Sequence, residues 1–515
     1  MRIVIGRLHK AVALISGVVI ALAVAAVPAS AQTYTLLDVG NVAVPRAECG
    51  PGSLPETGLQ GDVPAEDRNN LRSTQGYRCN MSLLGGLQDR GGGILSVTYD
   101  HCSYTSTFFP GNLLGPSPGV QVLYVSDPSR PVMTTSLNEP AMLAGTWESL
   151  KVNKKRALLA ATAVPVSTGT GYFSIYDISD CAHPRLLNRG AGTDLTMPLW
   201  FLSHEGGFSP DGNTYWTSGT SPGFVSAIDV TDPANPRIIW QGLHGLSGHG
   251  FGISPDGNRM YLSNMAGMTI LDISAVQRRD PYPAVPQIAT YFWTDGHFNQ
   301  HSIPVTYDRR PYLFTLDEAG SGGVKVFDIS DEANAQVVQK IKLEINLDDN
   351  MDQNVRSASG GSVFAYDPHY CAVDRPANPT ALACSWISSG IRVFDVRNVN
   401  DIREIAYYNP PAQTHKNLLL TNSAHALSSI IGVPLFDFVP LARSMFEGKV
   451  DPSIAIGPRI GQIAFGDLSS DWCLSPPEFH GNQIWTSCMD NGFMALQLDN
   501  GVYQAPADQD STIGS

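Results

Sequence analysis

The sequence predicts an all-β fold, a β-propeller of four-stranded antiparallel blades, and three observations carry that prediction. A strand signature of alternating β-branched and aromatic residues, closed by Asp, an aliphatic residue and Ser or Thr, recurs along the chain. Its copies stand at blade spacing. Tight Ser-Pro-Asp-Gly turns occupy the same place in two of the units, at 209–212 and 254–257.

The copies are VQVLYVSDPSRP, FSIYDISDCAHP, VSAIDVTDPANP, MTILDIS, VKVFDISDEANA and IRVFDVRNVNDI, with a degenerate FMALQL near the C-terminus. With Tyr124, Asp177, Asp229, Asp272, Asp328, Asp395 and Gln497 taken as equivalent, the intervals are 53, 52, 43, 56, 67 and 102 residues. Periods of roughly 40–50 residues that hold several strands mark propeller blades. Seven copies predict seven blades; six and eight stay open, because the first and last copies are weak.

Within a unit each element has its own warrant. Apolar alternation marks strands with a buried face. Ser-Pro-Asp-Gly is a turn between strands, and Tyr-Asp-Arg-Arg (307–310) and Tyr-Asp-Pro-His (366–369) are assigned to the same slot. The signature Asp holds a turn by accepting backbone N–H groups, and the Pro that often follows fixes φ. Radial repetition of such units leaves only short strand edges exposed. TYTLLDVGNVAV near the N-terminus is assigned as the strand that closes the ring onto the last blade.

The ends and insertions divide the chain. Residues 1–31 read as a secretory signal: Arg2, Arg7 and Lys10, an apolar run over 11–27, and an Ala29-Ser30-Ala31 cleavage site. Residues 32–90 form an irregular segment that wraps the ring, 91–500 the propeller, and 501–515 a tail. Residues 410–472 are an insertion between the last two blades. Its core over 425–446 is apolar and partly helical, broken by Pro434 and Pro440. It serves as a lid over a site or as packed decoration.

The net charge is −14, and about −17 once the three signal cations are removed. An acidic surface argues against nucleic-acid partners. No other stretch is long and apolar enough to span a membrane. All eight cysteines lie after the signal, so disulfides are expected in a bacterial periplasmic or secreted protein. Cys371/Cys384 and Cys473/Cys488 each bracket a short segment. Cys49, Cys79, Cys102 and Cys181 then pair among themselves in one of three ways.

The repeated strand signature resembles that of the LVIVD-repeat proteins, secreted or surface-attached bacterial β-propellers. The resemblance covers roughly residues 90–500. It implies the architecture and no single chemistry, since propellers host enzymes, binding modules and scaffolds alike.

The candidate site comes from three histidines, each four residues before an apolar residue that opens a turn: His204 before Phe208, His249 before Ile253 and His301 before Val305. Equivalent positions of a closed ring face a shared axis, so the three imidazoles are expected to converge. The preceding unit (AGTWESLKVNKK) has no His in this slot, and the following one has Gly360. His415 and His480 are further candidate ligands. Glu205, Gln300 and His297 stand close enough in sequence to act as oxygen ligands or catalytic groups. Imidazoles with an open position suit Zn²⁺, Mn²⁺, Fe²⁺ or Cu²⁺. Histidine-held metals in some polysaccharide lyases, and the histidines of selenium-binding and methanethiol-oxidase propellers, are similar in arrangement only. No Gly-x-Ser-x-Gly elbow or phosphate loop is present. DEAGSGG (317–323) and DDNMDQN (348–354) read as solvated acidic loops.

Two functions are consistent with these residues. One is a metal-dependent lyase, hydrolase or oxidase acting on a small organic or glycan substrate. The other is a non-catalytic propeller that binds a protein, glycan or small molecule, with its histidines tied up internally.

Overall fold

The computed structural model describes residues 34–37, 40–108, 117–143, 145–163, 172–188, 195–196, 203–220, 223–245, 247–357, 364–414, 419–428, 445–448, 470–507 and 509. The chain forms seven antiparallel sheets arranged as the blades of a propeller.

Numbered from the first complete one, the blades begin with the inner strands Ser96–Tyr99, Lys151–Asn153, Glu205–Phe208, Phe251–Ile253, His297–Tyr307, Tyr370–Val373 and Glu478–His480. Each inner strand pairs with a second, then a third, then an outer strand. In blade three these are Thr214–Ser218, Phe224–Asp229 and Arg237–Leu243. The signature lies on the third strand, and its Asp ends that strand as expected. Asp177, Asp229, Asp272, Asp328 and Asp395 each accept the backbone N–H two residues on, at 2.9–3.1 Å. A register shift just before this Asp recurs in blades three to six, for example between Ala227 and Ile228.

The ring does not close where the sequence suggested. Tyr34–Leu37 lies parallel to Gln287–Trp293, as a fifth strand on the edge of blade four. The closing strand is Met81–Leu87, which pairs with Gly492–Leu498 to complete blade seven. Tyr77–Cys79 adds a fifth strand to blade six. Between Tyr34 and Leu87 the described residues thus contribute a strand to each of blades four, six and seven. The degenerate last copy has a simple cause: the outer strand of that blade comes from the other end of the chain.

A second correction concerns Tyr366-Asp-Pro-His369. It does not form the first turn of blade six. It runs into the inner strand Tyr370–Val373, and the turn follows it at 374–380. The 317–323 segment is not a solvated loop either. Asp317 and Glu318 end the second strand of blade five and are buried.

Four disulfides lock the fold. Cys371–Cys384 and Cys473–Cys488 form as expected, and the remaining four pair as Cys49–Cys79 and Cys102–Cys181. The second of these ties blade one to blade two. No described helix is long and apolar enough to cross a membrane. Residues 1–31, expected to be a signal, His415 and most of the insertion core lie outside the described residues.

Every inner strand begins at the face where the chain crosses from one blade to the next. The 410–472 connection is one of these crossings, since it joins Arg403–Asn409 to Glu478–His480. Its two described ends reach the face that carries the histidines.

Candidate functional site

The inner strands deliver their first residues to the channel. The backbone N–H groups of His204, His249 and His369 donate to the carbonyls of Ser218, Ser263 and Ser385 at 2.7–2.9 Å. These three histidines are thus structurally equivalent, on blades three, four and six. His369 is the channel histidine that sequence reasoning missed, because the wrong turn assignment placed Gly360 in its slot.

Two carboxylates complete a closed cycle with them. His204 Nε2 lies 3.2 Å from Glu148 Oε2, and His369 Nε2 lies 3.1 Å from Glu148 Oε1. His369 Nε2 also lies 3.2 Å from Glu318 Oε2, and His249 Nε2 lies 3.6 Å from Glu318 Oε1. The cycle closes where the His204 and His249 rings meet, with centroids 4.7 Å apart. Glu148 stands just before the inner strand of blade two, in WES, a stretch without histidine. Glu318 comes from the second strand of blade five.

His301 does not join this cycle. A register shift between Asn299 and His301 sets it off from the other three. Its Nδ1 stands 2.9 Å from Glu205 Oε1, and Lys151 Nζ lies 3.3 Å from the same oxygen. Gln300 donates to Glu148 Oε2 at 2.8 Å. Tyr370 lies between His301 and His369, its ring tilted to the first and edge-on to the second, with both centroid separations 5.1 Å. Gly250 permits this crowding: a Cβ there would collide with Glu205 Oε2 and the Gln300 carbonyl. The other candidates lie elsewhere. His480 stacks on Trp485 and meets Thr98 at 2.9 Å, near the opposite end of the channel. His297 pairs with Ala319 at the start of its strand, its ring against Phe298.

The electrostatics follow from burial. Loss of solvent would push Glu148 up, but His204 and His369 hold it well below the usual carboxylate range. Burial would likewise depress His369, yet Glu148 and Glu318 raise it to about 10. His204 is raised by Glu148 against its own burial. His249 is depressed by burial, which Glu318 only partly offsets. Glu205 is lowered by Lys151 and His301 in spite of its burial. His204 Nε2 aims at Glu148 without a hydrogen-bonding angle, and His249 Nδ1 and Glu205 Oε2 are buried without a hydrogen-bond partner.

Aromatic residues back the cycle on its crossing-face side. Trp147 lies against His204 and Phe364 against His369. Trp472, from the end of the insertion, packs on Phe364 and on His425. On the other side a cavity of about 390 Å³ runs down the channel, with Lys151, His301 and Tyr370 in its wall.

No protein-family model and no curated protein matches the sequence. Among solved structures, the chain is similar to a periplasmic gluconolactonase of Pseudomonas aeruginosa at 16% identity, covering 58% of this chain and 80% of that one with a TM-score of 0.41. A Bacteroides uniformis protein described as a 6-phosphogluconolactonase aligns at 15% identity, over 61% of this chain and 84% of that one, TM-score 0.44. A chain of Kuenenia stuttgartiensis hydrazine synthase aligns at 12% identity, over 80% and 97%, TM-score 0.43. None of these carries chemistry across to this chain.

Proposed function

We propose that this propeller, of the LVIVD-repeat type, is a metal-dependent enzyme whose ion is held by His204, His249, His369, Glu148 and Glu318. The observation that carries the reading is the closed cycle of three imidazole nitrogens and two carboxylates. Four of its five donor contacts are 3.1–3.6 Å, and ligand atoms of Glu148, His204 and His249 all lie within 4.8 Å of one another. Donors bound at ~2.0–2.2 Å to one ion lie about 3.0–3.5 Å from each other. Glu148 and Glu318 have no Lys or Arg partner among the described residues, so two buried negative charges call for two positive ones. A divalent ion supplies both; without it, protons on His204 and His369 do so. The His369 Nδ1–H donates to the Leu474 carbonyl at 2.9 Å, which leaves Nε2 free to ligate. Three nitrogens and two oxygens suit Fe²⁺, Mn²⁺, Zn²⁺ or Cu²⁺.

His301 is the proton-transfer group. Glu205, itself held by Lys151, fixes the His301 Nδ1 proton and turns Nε2 toward the cavity. A base oriented by a carboxylate, next to a Lewis acid that polarises a carbonyl or activates water, supports hydrolysis or elimination. The four disulfides suit an oxidising, extracytoplasmic compartment. Assay of protein loaded separately with each ion, on carboxylic esters, glycosides and uronate-containing glycans, tests the reading. Chelator-sensitive turnover is expected, and turnover that survives complete metal removal overturns it.

A further inference from the structure

The lysines of blade two set the chemistry of the channel. The first turn of blades three and four is Ser-Pro-Asp-Gly; in blade two it is Asn153-Lys154-Lys155-Arg156. The turn is pinned rather than loose. Asn153 accepts the Arg156 N–H at 2.9 Å, and the Arg156 guanidinium donates to the carbonyls of Gly212, Val230 and Thr231 on blade three at 2.8–3.1 Å. Arg156 is thereby committed to the neighbouring blade, while Lys154 and Lys155 border the cavity together with Lys151.

The cavity wall is cationic within an acidic protein. Three lysines face it, against the single carboxylate of Glu478. Lys151 is held by Glu205, and Lys154 Nζ lies 3.3 Å from Glu478. Lys155 is exposed at the rim and has no ion pair among the described residues. The cavity reaches the face of the first turns, where Pro210 and Pro255 border it. Its volume, about 390 Å³, lies at the small end of ligand sites, which span roughly 300–1,000 Å³.

We propose that this cavity binds a small organic carboxylate, of monosaccharide-acid size, which enters from the turn face. Lys155 meets the anion first, Lys154 exchanges Glu478 for it, and its far end lies against His301 and Tyr370. A cationic funnel in a protein of net negative charge selects anions and speeds their capture. The inference rests on the metal-enzyme reading only in calling the ligand a substrate.

Calorimetric titration of the protein with galacturonate, gluconate and malonate, beside neutral galactose and malonamide, tests it. At least one carboxylate is expected to bind about tenfold or more tightly than its neutral counterpart, and to weaken with salt, since a charge-assisted contact contributes ~1.5–3 kcal/mol. The K154Q/K155Q double variant is expected to lose about tenfold or more of that affinity while keeping its unfolding midpoint. Three results each overturn the proposal: no carboxylate binds, the neutral analogue binds equally, or the double variant binds unchanged. Metal content measured on the same samples separates the two readings. Failed carboxylate binding with metal retained removes this proposal alone; carboxylate binding without any metal affinity removes the functional reading alone.

Discussion

His369 of blade six stands 3.1 Å from Glu148 of blade two. Three blades separate them round one side of the ring and two round the other, so their contact spans the channel. A propeller needs no such cross-channel pair to hold its blades, which pack through their neighbours. Burying the pair without a further cation is costly, and a divalent ion held as proposed would remove that cost.

His301 and Glu205 are expected to act on turnover rather than on metal binding. His301→Gln should keep the metal and lower kcat by about 10²–10⁴-fold, the usual weight of a positioned acid–base group. Glu205→Gln should give a smaller loss and a shifted pH–rate profile. Metal content and kcat measured on the same preparation check this; metal loss in His301→Gln would place that residue among the ligands.

Gly250 is expected to tolerate no side chain. A Cβ there meets Glu205 Oε2 and the Gln300 carbonyl, so Gly250→Ala should displace Glu205 from His301. Overpacking of this kind costs about 1–3 kcal/mol. Turnover and the unfolding midpoint should fall together, and an unchanged kcat would show that Glu205 moves aside freely.

A second buried cluster predicts a pH dependence of stability. Asp471 is pushed up to about 7 by burial and by Asp490, against the pull of His425. A carboxyl raised in the folded state stabilises the fold fully below its unfolded value near 3.8. That contribution shrinks as pH rises and is gone above about 7. The unfolding midpoint should therefore fall between about pH 4 and 7, and fall less in Asp471→Asn. Equal pH slopes for the two proteins would refute the assignment.

The N-terminal wrap is anchored by Arg392, which is buried between Glu56 and Glu404 and donates to both. Arg392→Met strands two buried carboxylates and should cost about 3–5 kcal/mol. Urea unfolding measures this; a loss under 1 kcal/mol would mean that the pair is solvated.

The blade repeat was legible because one strand signature recurs with its turn, and a turn Asp that caps backbone N–H groups leaves a local pattern. Ring closure was not legible, since Met81–Leu87 meets Gly492–Leu498 across nearly the whole chain and no local signal records a partner. His204 and His249 were found by register. His301 was placed one contact away by a bulge, which spacing alone does not reveal. His369 was hidden behind Tyr-Asp-Pro, a sequence with the look of a turn but the role of a strand entry. Glu148 and Glu318 escaped because carboxylates abound in an acidic chain, and only their contacts with the channel histidines mark out these two.

Elemental mass spectrometry of untagged protein, beside the Glu148→Gln and His369→Ala variants, tests the central claim most directly. The account predicts near one equivalent of a divalent transition metal in the native chain and its loss in both variants, with the blade ring still folded by circular dichroism. Native protein that takes up none of Zn²⁺, Mn²⁺, Fe²⁺ or Cu²⁺, or variants that hold the ion as well as the native chain does, would contradict it.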